Sequence, residues 1–99
     1  MENLKDIINS DKPTLLDFTA PWCKPCQSLK PIIEEIRNEY ADKINIVVID
    51  VDNHTDEVTE FKIRSVPTLI LFHKGEEKWR SSGLHTKNEI IRNLICCDE

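Results

Sequence analysis

Glycine is nearly missing from this chain, with two in 99 residues. A nicotinamide-binding fingerprint needs three closely spaced glycines to bring the backbone against a pyrophosphate, so no cofactor of that kind is expected. There is no repeat, no low-complexity tract and no linker rich in Pro, Gly or Ser, which leaves one continuous unit and a single domain over residues 1–99. Runs of about 18 apolar residues are also lacking, so no membrane span is expected. Basic residues are outnumbered, 13 Lys and Arg against 18 Asp and Glu. A net charge of −5 without clustered cations interleaved with aromatics argues against nucleic acid as a partner. The opening residues, Met1-Glu2-Asn3-Leu4-Lys5-Asp6, are charged and amphipathic rather than a basic segment leading into an apolar one. Secretion is therefore not expected, and a cytoplasmic protein is.

What the chain does have is 39% hydrophobic residues, enough for one core, and four cysteines. Disulfide scaffolds belong to secreted domains too small to build a core, so the cysteines point to chemistry instead. Strands and helices alternate. Leu4, Ile7 and Ile8 mark a short first helix ended by Asp11-Lys12-Pro13, and a strand follows at about 14–19. Leu29, Ile32, Ile33, Ile36 and Tyr40 repeat at helical spacing. Ile44 to Val51 is a nearly unbroken apolar run, the pattern of a strand covered on both faces of a parallel sheet. A helix is expected over Thr55–Phe61. A hairpin then joins a strand at Thr68–Phe72, through a turn at Lys74-Gly75, to a strand near Glu77–Ser81. Thr86-Lys87-Asn88-Glu89 is a capping box opening a last helix with Ile90, Ile91, Leu94 and Ile95.

Trp22-Cys23-Lys24-Pro25-Cys26 sits at the first strand-to-helix junction. Two thiols at this spacing can cycle between dithiol and disulfide. Cys23 falls at the helix start, where free N–H groups and the positive end of the dipole favour an anion, so it is the expected attacking sulfur. Cys26 lies one turn inside, in register with Leu29 and Ile33, and suits the more sheltered resolving role. Asp17 lies in a strand at the centre of the fold. Burial would raise its pKa until it could take the Cys26 proton, directly or through water. The plainer alternative is a solvated acid at a strand end.

Over nearly its whole length the chain resembles the thioredoxin family, through Asp17, Trp22-Cys23-Lys24-Pro25-Cys26, Pro31, Val66-Pro67-Thr68, Gly75 and Gly83. The resemblance implies an α/β thioredoxin fold with a mixed sheet of about four strands flanked by helices on both faces. It implies a protein-disulfide reductase that works through a mixed disulfide on Cys23, on disulfide-containing proteins, and is itself reduced by a thioredoxin reductase. It also implies proton transfer by Asp17, a cis peptide at Val66-Pro67 beside the cysteines, substrate pairing to the Val66 backbone, and an apolar docking surface at Trp22 and Gly83. Lys24, Pro25 and Pro67 complete the expected substrate-contact set. Trp22 as a core aromatic and Gly83 as an ordinary turn glycine remain open alternatives. No metal is expected, and the chain is expected to act as a monomer. An oxidase or isomerase, or a partner-binding module indifferent to the dithiol, are the competing functions.

The chain departs from the family pattern at several places. Val48 stands where many thioredoxins carry a Lys near the Asp, which should leave Asp17 without its usual cationic neighbour and raise its pKa further. Lys24 stands where Gly is commonest. A cation there stabilises the thiolate and moves the couple above the family's reference value of about −270 mV, or, pointing into water, shifts it by less than ~30 mV. Cys96-Cys97 lies outside the pattern. Adjacent cysteines rarely bridge, so Cys97 is expected to be a small buried hydrophobe and Cys96 an exposed, oxidisable one. His54, His73 and His85 are expected in solvated loops. The short N-terminus leaves little room for the family's usual first strand, which should leave the strand at 14–19 less protected on one side.

Overall fold

The computed structural model describes residues 3–97, with side chains as far as Leu94. The expectations for Cys96 and Cys97 lie outside the described side chains. Along the chain run α1 (Leu4–Ile8), β1 (Thr14–Thr19), α2 (Lys24–Tyr40), β2 (Asn45–Asp50), α3 (Thr55–Glu60), β3 (Thr68–His73), β4 (Glu76–Ser82) and α4 (Lys87–Cys97). The sheet has the order β2-β1-β3-β4. β1 runs parallel to β2 and antiparallel to β3, and β3 and β4 form the expected hairpin.

Alternation along the strands divides the core between two faces. Leu15, Leu69 and Leu71 pack with Leu29, Ile33 and Ile36 of α2 and with Ile90 and Leu94 of α4. Leu16, Phe18, Ile49, Ile70 and Phe72 pack on the other face with Ile8 of α1 and with Phe61 and Ile63 after α3. Each fully buried Leu, Ile or Phe contributes roughly 1.5–3 kcal/mol. The capping box forms as expected: Glu89 N–H donates to Thr86 Oγ1 at 3.2 Å, and Thr86 N–H donates to Glu89 Oε1 at 3.2 Å. In the hairpin turn, Lys74 and Gly75 take φ of 54° and 84°. Two successive positive φ values match the right-handed twist of the flanking strands. Gly75 N–H donates to Ile8 O at 3.1 Å, and a Cβ at Gly75 would collide with the Asn9 side chain, so the turn docks on the end of α1.

Two expectations are corrected. β1 is not the exposed strand: it pairs on both sides and is buried along nearly its whole length. The edge strands are instead β2 and β4. For the same reason the apolar run at 44–51 is not covered on both faces. Within β2 only Ile49 is buried, while Val48 is 42% exposed. β-branched residues suit an edge strand as well as a central one, so composition alone could not tell the two apart.

Candidate active site

The 17 residues of α2 begin where β1 ends, and Cys23 is their N-cap. Its backbone is extended, and its Sγ accepts the N–H of Cys26 at 3.2 Å. Pro25 lies in the first turn, where an N–H has no intrahelical partner to lose. No acidic residue occupies that turn, so nothing offsets the positive end of the helix facing the sulfur. Cys23 and Cys26 are joined as a disulfide, their Cα atoms 5.2 Å apart.

Cys26 is the more sheltered of the pair, at 3% exposure, but Cys23 at 6% is also buried rather than open. Ala20, Val51 and Val66 pack around the two. The Cys23 Sγ lies 3.6 Å from the Val66 carbonyl oxygen, a contact that becomes a hydrogen bond when the sulfur carries a proton. Lys24 and Pro25 are exposed beside it.

Behind the disulfide lies a cleft of about 630 Å³ whose walls include Asp17, Cys26, Lys30, Glu34, Arg37 and Val48. Asp17 is 5% exposed, and its Oδ1 is buried without a hydrogen-bond partner. Burial pushes its pKa from 3.8 up to about 6, and the Arg37 guanidinium holds it back from rising further. Val48 does face Asp17 across the β1–β2 pair. The usual cationic neighbour on β2 is thus absent, as expected, but α2 supplies a different one in Arg37, so the pKa is not raised as far as burial alone would take it.

On the other side of the disulfide is a smaller groove, about 170 Å³, bounded by Trp22, Val51, Val58, Ile63, Arg64, Ser65 and Val66. Trp22 is 68% exposed, so it is not a core aromatic. Its Nε1–H donates to Asp52 Oδ2 at 3.1 Å, which fixes the ring at the groove's edge. The Val66-Pro67 peptide is cis. Gly83, at φ 94°, donates its N–H to Pro67 O at 2.9 Å, and nothing lies within 4 Å of where its Cβ would be. It is therefore a positive-φ position whose N–H holds the Pro67 loop.

The family model described as Thioredoxin matches residues 1–95. A thioredoxin from Rickettsia bellii is 41% identical over 87 residues, covering 88% of this chain and 83% of that one. The chain belongs to the thioredoxin family. A bifunctional thioredoxin reductase/thioredoxin from Mycobacterium leprae is 38% identical over 89 residues, 90% of this chain and 19% of that protein. A solved structure of a mutant thioredoxin from Halobacterium salinarum NRC-1 superimposes with a TM-score of 0.90 at 30% identity, covering this whole chain and 86% of that one. The four-stranded mixed sheet with helices on both faces is thus the thioredoxin fold, and the Cys23–Cys26 pair marks a thiol–disulfide oxidoreductase. No helix among the described residues is long and apolar enough to cross a membrane.

Sequence reasoning missed Asp52, Arg64 and Arg37 in this thioredoxin site. No spacing signal marks Asp52 or Arg64, which reach the groove through loops. Arg37 did carry one: Cys26, Ile33 and Arg37 fall at i, i+7 and i+11 on one helical face. The histidines are also less uniform than expected. His85 is half-buried, its ring edge-on to Trp79 and its nitrogens 2.7 Å from Ser81 Oγ and 3.1 Å from Glu89 Oε2. A loop that abuts a strand and a helix start provides such partners, and sequence proximity to polar residues does not reveal them.

Proposed function

We propose that this chain acts as one cytoplasmic, monomeric thioredoxin domain that passes two electrons from a thioredoxin reductase to protein disulfides, with Cys23 attacking and Cys26 resolving. The Cys23 thiolate attacks one sulfur of the substrate disulfide. That S–S bond breaks, one substrate thiolate leaves and takes a proton from water, and a mixed disulfide remains on Cys23. The Asp17 carboxylate takes the proton of the Cys26 thiol, directly or through water in the cleft. The Cys26 thiolate then displaces the second substrate thiolate from Cys23, closing the bond found in the structure. Electrons returned by the reductase reopen it.

The observation that carries this reading is the disulfide itself, set at an undiluted helix N-terminus between an exposed groove and a cleft holding a buried acid. Substrate would enter on the groove side. Trp22 supplies apolar surface and Val66 offers backbone rather than a side chain, which suits many different peptides, while the Gly83 N–H bond to Pro67 O holds the cis-proline loop that presents Val66. Lys24 and Pro25, exposed next to the sulfur, complete the contact surface. The Mycobacterium leprae relative, named for both activities, supports a thioredoxin reductase as the electron donor. Insulin reduction driven by a thioredoxin reductase and its nicotinamide donor tests the proposal. Turnover lost in Cys23→Ser supports it, and insulin reduction no faster than the reductase alone would end it.

A further inference from the structure

Arg37 is held in the wall of the cleft by two bonds that fix its guanidinium. Nη1 donates to Glu34 Oε1 at 2.7 Å, and Nη2 donates to the Ile46 carbonyl at 3.1 Å. The second bond ties α2 to the edge strand β2, so the cation is anchored from both elements that wall the cleft. Into the same cleft faces Asp17, whose Oδ1 has no hydrogen-bond partner. The other titratable or charged groups lining it are Cys26, Lys30 and Glu34 from α2 and Asp50 from the end of β2, and β3 sets the apolar Leu69 opposite Asp17. Glu34 is engaged with Arg37 itself and is half-exposed.

We propose that Arg37 is a positioning residue for the proton step, the anchored cation that stabilises the Asp17 carboxylate while it waits to take the Cys26 proton. This rests on the proton-acceptor role proposed above for Asp17. The cation must act from α2 because the position beside Asp17 on β2 is Val48, which carries no charge. Its effect is a compromise. Desolvation alone would leave a smaller fraction of Asp17 ionised and ready to accept at a given pH, and a fully paired Asp17 would be too weak a base. A half-exposed guanidinium, screened by solvent and shared with Glu34, gives an intermediate pull.

The test follows Asp17 directly, in the oxidised protein, by the carbon-13 shift of its carboxyl across pH, and in parallel measures the pH profile of insulin reduction. In Arg37→Gln the Asp17 midpoint should move up by about half a pH unit, and the acid limb of the reduction profile should move with it. Arg37→Lys should recover most of that shift. So should Val48→Lys placed in the Arg37→Gln background, since it puts a cation in the same cleft from β2; a merely structural role for Arg37 would not be rescued from another strand. A midpoint in Arg37→Gln that coincides with wild type overturns the proposal. Asp17→Asn separates this from failure of the underlying reading. If that variant keeps the acid limb, Asp17 is not the proton acceptor, whatever the titration says about Arg37.

Discussion

The two sides of the Cys23–Cys26 bond are built from opposite materials. Toward the groove lie an exposed Trp22, the Val66 carbonyl and the apolar Val51, Val58 and Ile63, with the charges of Asp52 and Arg64 at its rim rather than buried in it. Toward the cleft lie a buried carboxylate, a lysine, a glutamate and an anchored arginine. The contrast fits what the proposed cycle asks of each sulfur. Cys23 meets proteins of unknown sequence, which backbone and apolar surface can accept without demanding particular side chains. In the proposed cycle Cys26 gives up a proton and then attacks Cys23 alone, and the proton transfer needs a base of tuned strength in a place bulk water does not level. Specificity of contact is low outside, and specificity of charge is high inside.

The hardest test of this division replaces each sulfur in turn. Cys23→Ser should abolish insulin reduction, by about 10³-fold or more, because no thiolate remains at the helix start. Cys26→Ser should lose steady-state turnover as well, yet it should still accept substrate and accumulate a mixed disulfide on Cys23, visible by mass spectrometry without reductant. Equal trapping by both variants would erase the distinction between outer and inner sulfur.

Asp17→Asn acts on the inner side alone. Reduction at neutral pH should fall by about tenfold or more, the loss expected when a positioned base is removed. Stability should change in the opposite sense. The carboxyl titrates near 3.8 when unfolded and about 6 in the folded protein. Between those values the folded chain holds the extra proton, so wild-type stability declines as pH rises through that window, and above it the full cost remains, at most on the order of 3 kcal/mol. Urea unfolding should therefore find Asp17→Asn more stable at pH 8 by up to that amount and little different near pH 4. A variant equally stable at both would mean that the acid is not buried as described.

Much of this was written into short stretches of sequence, and what was not has a common cause. The capping box at Thr86, the hairpin turn at Lys74-Gly75 and the placement of Cys23 at a helix start all depend on contacts within a few residues, and each appears where the local pattern puts it. β2 was misjudged because burial of an apolar run depends on which strands flank it, and strand order is not a local property. Arg37 went unweighed for a related reason. Val48 is adjacent to Asp17 in the sheet, whereas the cation arrives from a helix that packs across it. The identity of the site was legible, and the charge balance inside it was a tertiary fact.

Trp22→Ala sharpens the outer side. Removing an indole that is already largely exposed should cost the fold little, and the loss should appear when substrate covers the ring. KM for a protein disulfide should rise by roughly threefold to tenfold with kcat close to wild type, since uniform binding is what disappears. Asp52→Asn, which loses only the charge that receives the Trp22 Nε1–H, should show a weaker version of the same change. A fall in kcat at constant KM would place Trp22 in the chemistry instead of the docking surface.

Lys24→Gly should have the smallest effect. Lys24 is the first residue of α2 and is exposed, so its ammonium extends into water next to the sulfur rather than over it. Two influences act there. The cation favours the Cys23 thiolate, which makes the couple more oxidising, and its repulsion from the positive helix end costs the helix a little in either redox state. Both are weakened by solvent and salt at an exposed site. The reduction potential measured against glutathione should therefore drop by less than ~30 mV on substitution, the equivalent of 1.4 kcal/mol for two electrons. A larger drop would show Lys24 folding back over the thiolate in the reduced protein. The outer side would then carry a charge device of its own, and its division from the inner side would be one of degree.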